Sequence, residues 1–419
     1  MNASTPRATK QREETRVDLR ARGYDKVVAL AEKGVDIPHP SSVYVDDDVD
    51  VDRISGDGVT IMPGCRIHGS STVISEGCRL GVGGPVSLED CLLGPNAELQ
   101  GGHFRRSVFL EGASMGPGAQ VREGCILEEQ ANGAHCVGLK QTILFPFVTL
   151  GSLINFCDCL MSGGTSRQDH SEVGSSYIHF NYTPDGDKTT PSLFGDVPRG
   201  VMLDQPPVFL GGQGGAVGPV RVGFGTVVAA GSILRHDVLE DGRLVAVEPI
   251  PGFERSRRPN TYRDLTRVVR NNVLYVANLA ALEHWYRDVR APFFSMQPLG
   301  DLVFEGALAT LRVARNERAA RVEALAAKVP DSVTGGAQLR ERAGVLCELL
   351  REGPGSADRP EWTGPKVPTS PTSNYLETVK ALTPAERAAG IQWLERIAEA
   401  LCVQASEILD TMDLFERPH

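Results

Sequence analysis

Large aliphatic side chains return every six residues near the middle of the chain: Val222, Val228 and Leu234. Small Thr226 and Ser232 follow the first two of them by four positions, and Gly223, Gly225 and Gly231 fill turn positions. A short fixed period of this kind means a solenoid. Each hexapeptide supplies one short strand and one turn, and three of them make a triangular coil. The aliphatic position points inward and the small position sits at a tight corner. A coil cannot bury its own open faces, so coils stack.

Looser copies of the same grammar are readable in IMPGCRIHGSSTVISEGCRLG, LLGPNAELQ and FLEGASMGPGAQVREGCILEE, across residues 58–128. Residues 135–165 are more apolar and keep the glycine spacing, and residues 217–238 close the stack. Ahead of it, residues 16–33 have aliphatics at helical spacing and stop at Gly34. After Glu248 the grammar changes. A Pro- and Arg-bearing linker leads to an amphipathic helix over 264–290, with further helices near 302–328 and 336–351. A Pro/Gly/Ser-rich stretch follows, and a last helix opens on the capping signal Thr383-Pro384-Ala385-Glu386 and runs to about Met412. The expected organisation is an N-terminal helical segment (1–40), a β-helix domain (41–248), a helical extension (249–351), a flexible linker (352–373) and a C-terminal helix region (374–419). The fold class is mainly β, a parallel β-helix with an N-terminal helix and a C-terminal α-helical extension.

Composition narrows the function. A formal charge of −10 argues against a general nucleic-acid binder, which would carry a basic face. No run of ~18 apolar residues is present, so no membrane span is expected. The first residues, MNASTPRATKQREETR, lack the apolar core of a secretory signal. Nine cysteines are spread without a disulfide-rich spacing, and Cys65, Cys78 and Cys125 stand where a small buried residue is wanted. They read as reduced core residues of a cytoplasmic protein.

An irregular polar stretch interrupts the regular coils and brings His170, Asn181, Tyr182 and Lys188 close together in sequence. A loop set on a regular scaffold suggests a site. Three pieces then carry a resemblance: Gly174-Ser-Ser-Tyr-Ile-His-Phe-Asn181-Tyr182 with Lys188-Thr189, the run Val208 to Val220, and the closing coil 222–238. Together they resemble the hexapeptide-repeat acyltransferase family, in particular the acetyltransferase domain of the bifunctional enzymes that make UDP-N-acetylglucosamine. The chain is also similar to UDP-N-acetylglucosamine pyrophosphorylase-like proteins. It lacks the Gly-rich L-x-x-G-x-G-T-R loop of a pyrophosphorylase, so uridylyl transfer is not expected.

Periodicity does not set the hand of the solenoid; the resemblance implies a left-handed one. It also implies an acyl-CoA-dependent N-acyltransferase acting on an amino sugar, phosphorylated or nucleotide-linked, with its site at the subunit interface of a homotrimer. On this reading His170 is the general base, and Asn181, Tyr182 and Lys188 bind the sugar. Gly211, Gly212, Gln213, Gly214 and Gly215, with Ala229 and Ala230, line the groove for acetyl-CoA or another acyl-CoA. An ungapped count back from the Asn-Tyr pair places Asp158, not His170, at the base position. Gly212 stands where the family has a Ser. The chemistry is coherent: an amine attacks a thioester only when unprotonated, and a His near neutral pKa accepts its proton. Glycine-rich turns offer backbone N–H groups for the oxyanion.

Two rival functions remain. One is a non-catalytic sugar-nucleotide-binding or assembly module. The other is a zinc enzyme of the γ-carbonic-anhydrase type, for which His135 and His170 have suitable separation as two ligands but the next histidine, His179, falls off the spacing of the third; no metal is expected on the leading reading. Other signals read as structural. Cys157-x-Cys159 lacks a second pair. The acidic run Asp46 to Asp52 has Arg53 where a calcium loop needs Gly. Gly211 to Gly215 lies between repeat strands, so it is not a nucleotide loop. Eight arginines (255, 257, 258, 263, 267, 270, 287 and 290) read first as a charged helix face, or else as an anion patch. The aromatic cluster Trp285, Tyr286, Phe293 and Phe294 is suited to packing that helix onto the solenoid or a neighbouring subunit.

Overall fold

The computed structural model of the protein describes residues 22–181, 183–262, 264–355, 364–365 and 374–415. Its body is a left-handed parallel β-solenoid of about eleven turns. An N-terminal helix, α1 (Tyr24–Lys33), closes one end and is itself closed by left-handed Gly34. The coils build three ladders of parallel strands. The first face runs from Tyr44–Val45 through Arg66–His68, Val86–Glu89, Gly102–Arg105 and Ala119–Val121 to Ile233–Leu234. The second runs from Val73–Ile74 through Leu92–Leu93, Ser107–Phe109 and Cys125–Leu127 to Arg221–Val222. The third runs from Thr60–Ile61 to Leu244–Val245. Strands Gly138–Leu144 and Asn155–Met161 turn the corner between the first two faces and belong to both.

That corner needs left-handed backbone. Asp90, Arg106, Gln141 and Asp158 all have φ between 45° and 57° there. Asn and Asp tolerate this region best among residues with a side chain, and glycine tolerates it freely. Gly69 and Gly124 occupy equivalent turns, each packed directly against the next residue of the column.

The three faces differ in burial. Strands of the first and third faces alternate, as in Arg66–His68 (exposed, buried, half-buried). Second-face strands up to Ser192–Phe194 are buried along their length, as in Ser107–Phe109 and Cys125–Leu127. A strand buried on both sides must be covered by another layer. Here the layer is the chain's own helices. After the single helical turn α2 (Val197–Gly200) come α3 (Leu265–Trp285), α4 (Ala291–Ser295), α5 (Gly300–Ala326), α6 (Gly336–Glu352), α7 (Tyr375–Lys380) and α8 (Pro384–Ile408). Helix α5 packs on Leu92–Leu93, Ser107–Phe109 and Cys125–Leu127, and α3 packs on Ser192–Phe194. The approach is close: a Cβ on Gly306 of α5 would stand 2.3 Å from Leu92 Cδ2. Helices α6 and α8 form an outer layer on α5 and α3. The expected helix over 264–290 ends as an α-helix at Trp285 and continues as one π-helical turn, Tyr286–Arg290. The last helix begins with the capping box of Thr383 and Glu386.

Candidate functional site

Register shows where the solenoid is interrupted. Third-face residue Glu172 pairs with Phe209, while Phe209 pairs with Val227. The long coil between Glu172 and Phe209 contains strand Ile178–Phe180, the loop that carries Asn181 and Lys188, and α2. A cleft of about 430 Å³ opens on the first face beside this loop. It is lined by Arg122, Lys140, Asn155, Cys157, Ile178, His179, Phe180, Asn181 and Lys188.

Its floor is a chain of hydrogen bonds that ends in the helical layer. Arg318 of α5 donates from Nη2 to Asp158 Oδ1 at 2.8 Å. Asp158 Oδ2 accepts from Asn181 Nδ2. Asn181 Oδ1 can only accept, so His179 must donate to it from Nδ1, at 3.3 Å. That fixes the tautomer. His179 Nε2 then accepts from Ser192 Oγ at 2.7 Å, while the Ser192 oxygen accepts from the Val220 N–H at 2.9 Å. His179 is 2% exposed, and burial pushes its pKa below the ordinary histidine value because the charged form would lose its water. The imidazole is neutral, and both its nitrogens are engaged.

The rim is cationic. Lys140 pairs with Glu123 at 2.8 Å, Lys188 is exposed, and Arg122 reaches toward Cys157 Sγ at 3.9 Å. The Cys157 thiol donates to Asn155 Oδ1 at 3.0 Å, and burial raises its pKa to about 11, so it is no thiolate nucleophile. The loop beyond Asn181 is tied to the C-terminal third. Tyr262 donates to Asp187 at 2.6 Å, the Asn260 N–H to Asp185 at 2.9 Å, and Lys328 Nζ to the Asp185 carbonyl at 2.5 Å.

The residues expected from the sequence therefore separate. Asn181 and Lys188 share the cleft. Tyr182 lies outside the described residues. His170 is not among the residues that line the cleft. It sits in a tight turn that pairs Gly164 with His170, its Nδ1 donating to the Arg167 carbonyl at 2.8 Å and its Nε2 4.0 Å from Glu172. Gly211, Gly212, Gln213 and Gly214 make the corner between the third and first faces, Gly215 starts the next first-face strand, and Ala229 and Ala230 stack on Gly211. The N–H groups of Gly211, Gln213 and Gly215 donate to Val228, Ser175 and Ser232, so they serve the coil ladder rather than an oxyanion. His135 bonds Ser152 Oγ at 2.8 Å, and among the described residues no three His, Cys, Asp or Glu side chains gather as a metal site. Sequence reasoning weighed His179 only against the zinc spacing, not as part of the sugar site, and passed over Arg318. The signal for His179 was its place two residues before Asn181 on the same strand edge; nothing in the sequence pointed to Arg318.

No family model matches the chain. The bifunctional protein GlmU of Nitratidesulfovibrio vulgaris strain DP4 is 28% identical over 158 residues, 36% of this chain and 31% of its own length. GlmU of Thermotoga maritima is 29% identical over 133 residues, 32% of this chain and 26% of its own. The chain thus spans about a third or less of these curated relatives. A solved structure of LpxA from Acinetobacter baumannii aligns over 49% of this chain and 66% of its own at 10% identity, with a TM-score of 0.14 that is too low to carry an argument. No helix among the described residues is long and apolar enough to cross a membrane. The chain carries a hexapeptide-repeat, acyltransferase-like left-handed β-helix, distantly related to the acetyltransferase domain of GlmU.

Proposed function

We propose that the first-face cleft binds a phosphorylated or nucleotide-linked sugar and that this chain acts as a sugar-phosphate-binding module on an acyltransferase-like scaffold. One observation carries the reading: the cleft keeps the sugar-loop Asn181 and Lys188 beside Arg122 and Lys140, but offers no unengaged base. Asp158, at the ungapped base position, is held by Arg318 and Asn181. A lysine ammonium holds a phosphate as a compact point charge, and two lysines with an arginine suit a phosphate monoester or diphosphate. Asn181 orients the sugar through hydroxyl or amide hydrogen bonds.

Calorimetry with UDP-N-acetylglucosamine and glucosamine 1-phosphate tests this on the full chain. Binding weakened about tenfold in Lys188→Ala, roughly 1.4 kcal/mol, is expected. Absence of binding to both sugars overturns it.

Acyl transfer is the second reading, supported by the relation to GlmU and by the acyl-CoA groove that the resemblance implies along Gly211 to Gly215 and Ala229 to Ala230. On it, the chain is an N-acyltransferase of the cytoplasm, working as a homotrimer through the first and third faces, since its own helices cover the second. It requires His179 to release Ser192, or His170 to reach the cleft. Release of CoA thiol from acetyl-CoA, dependent on glucosamine 1-phosphate, would establish it in place of the binding module.

A further inference from the structure

A second polar cavity, of about 420 Å³, lies away from the solenoid between α3, α5 and α6. Its walls carry Arg287, Arg312, Arg315 and Arg351, with Glu283 and Glu352 as the carboxylates. Glu283, 7% exposed, anchors the floor: its two oxygens accept from Arg315 Nη1 at 2.8 Å and from Arg287. One carboxylate thus serves two guanidiniums. Arg351 pairs at 3.2 Å with Glu323, which is outside the cavity wall. Arg312 has no ion-pair partner among the described residues. Arg315 is 5% exposed, and its buried Nη2, beside Gly353, has no hydrogen-bond acceptor among the described residues.

The local charge is therefore positive on a chain whose net charge is −10. Four guanidiniums meet two carboxylates in the wall and a third, Glu323, just outside it, which leaves one positive charge uncompensated in a partly dehydrated cavity, and an anion relieves it. Guanidinium forks match the paired oxygens of a phosphate, and a phosphate or diphosphate brings more negative charge than a single carboxylate. Among the described residues the wall has little apolar surface, Ala280 and Pro354 being its non-polar side chains, and no Phe, Tyr or Trp ring for stacking a base; its one imidazole, His284, bonds Asp288 at 3.3 Å and packs edge-on against Trp393. The phosphate group itself, not a nucleobase, is what the cavity recognises.

We propose that this cavity is an anion site for a phosphate or diphosphate group, independent of the first-face cleft. Titration of the full chain with inorganic phosphate, pyrophosphate and UDP tests it, with sulfate as the control. Pyrophosphate is expected to bind more tightly than sulfate, and Arg312→Gln and Arg351→Gln, both exposed positions, to weaken it about tenfold each. In a Lys140→Gln, Lys188→Gln background, which removes the sugar cleft's own phosphate contacts, pyrophosphate binding and its weakening by Arg312→Gln should persist, which separates this site from the sugar cleft. UDP binding as pyrophosphate does assigns the diphosphate to a nucleotide source; pyrophosphate alone assigns a free one. Equal binding of sulfate, an unchanged affinity in both arginine variants, or loss in the lysine variants overturns the proposal.

Discussion

The first and second faces of the solenoid are made by the same coils, yet they solve opposite problems. On the first face, side chains alternate and the outward ones, Arg66, Arg105, Gln120 and Lys140, meet water or each other. On the second, strands such as Ser107–Phe109 and Cys125–Leu127 are buried on both sides, and the chain must supply a helical layer to cover them. Polar groups follow suit. Charges on the first face are exposed pairs; charges under the helices are buried and paired with one another. Arg290 shows this: it donates to Glu128 Oε1 at 2.9 Å and to Glu129, and lies 4.1 Å from the Tyr375 ring and 4.6 Å from the Tyr286 ring. The candidate cleft lies at the seam between these regimes, which is why a helix arginine, Arg318, ends its hydrogen-bond chain.

The largest test of the difference is Arg290→Ala. It leaves two buried carboxylates without their cation, which costs about 3–5 kcal/mol. Urea denaturation should show that loss, with limited proteolysis releasing the helices before the solenoid. A loss below about 1 kcal/mol would mean that the helical layer is not anchored there. Next comes Gly306→Ala, whose new methyl group meets Leu92 and overpacks the interface by about 1–3 kcal/mol. Leu92→Ala in the same chain should restore part of the loss; an additive double variant would sink the contact.

pH separates the two regimes by sign. Burial raises the Glu128 pKa from 4.5 to about 7. Between those values the folded chain keeps a proton that the unfolded chain releases, so this group's contribution to stability falls as pH rises from about 4.5 to about 7. Burial lowers the His179 pKa below 6.5. Below 6.5 the unfolded chain takes up a proton that the folded one refuses, so the contribution of His179 is lost as pH falls. Unfolding free energies of wild type minus Glu128→Gln and wild type minus His179→Gln should therefore slope in opposite directions. Slopes of one sign would remove the distinction.

The solenoid was legible because its constraint is local: an aliphatic at every sixth position has one geometric use. The double-sided strands Ser107–Phe109 and Cys125–Leu127 leave no such signal, since their hexapeptide pattern does not say that a helix covers their outer side. The site was legible only in part. Asn181 and Lys188 lie on a continuous loop, so sequence proximity became spatial proximity. His170 did not reach them, because a turn beginning at Gly163 and Gly164 carries it toward the third face, where it bonds Arg167. Contacts that join distant segments, such as Arg318 with Asp158, follow from packing and leave no local pattern. The arginines of 253–290 divide in the same way: Arg257 and Arg287 are exposed as a charged face would be, whereas Arg290 is buried to 1%.

The smallest effect is the sharpest control. Arg105 of the first face pairs with Glu89 at 3.1 Å, with the two side chains 49% and 41% exposed. By distance alone this pair matches that of Arg290 with Glu128. Water already solvates both groups, so their attraction is screened and ordering two long side chains offsets what remains. Arg105→Ala should change stability by at most about 1 kcal/mol, and by less as salt is added. The same atom pair under the helices has no water to return to when its partner is removed. If Arg105→Ala and Arg290→Ala cost the same in urea denaturation, burial is not what distinguishes the two faces, and the helical layer does not exclude solvent from Glu128 and Glu129.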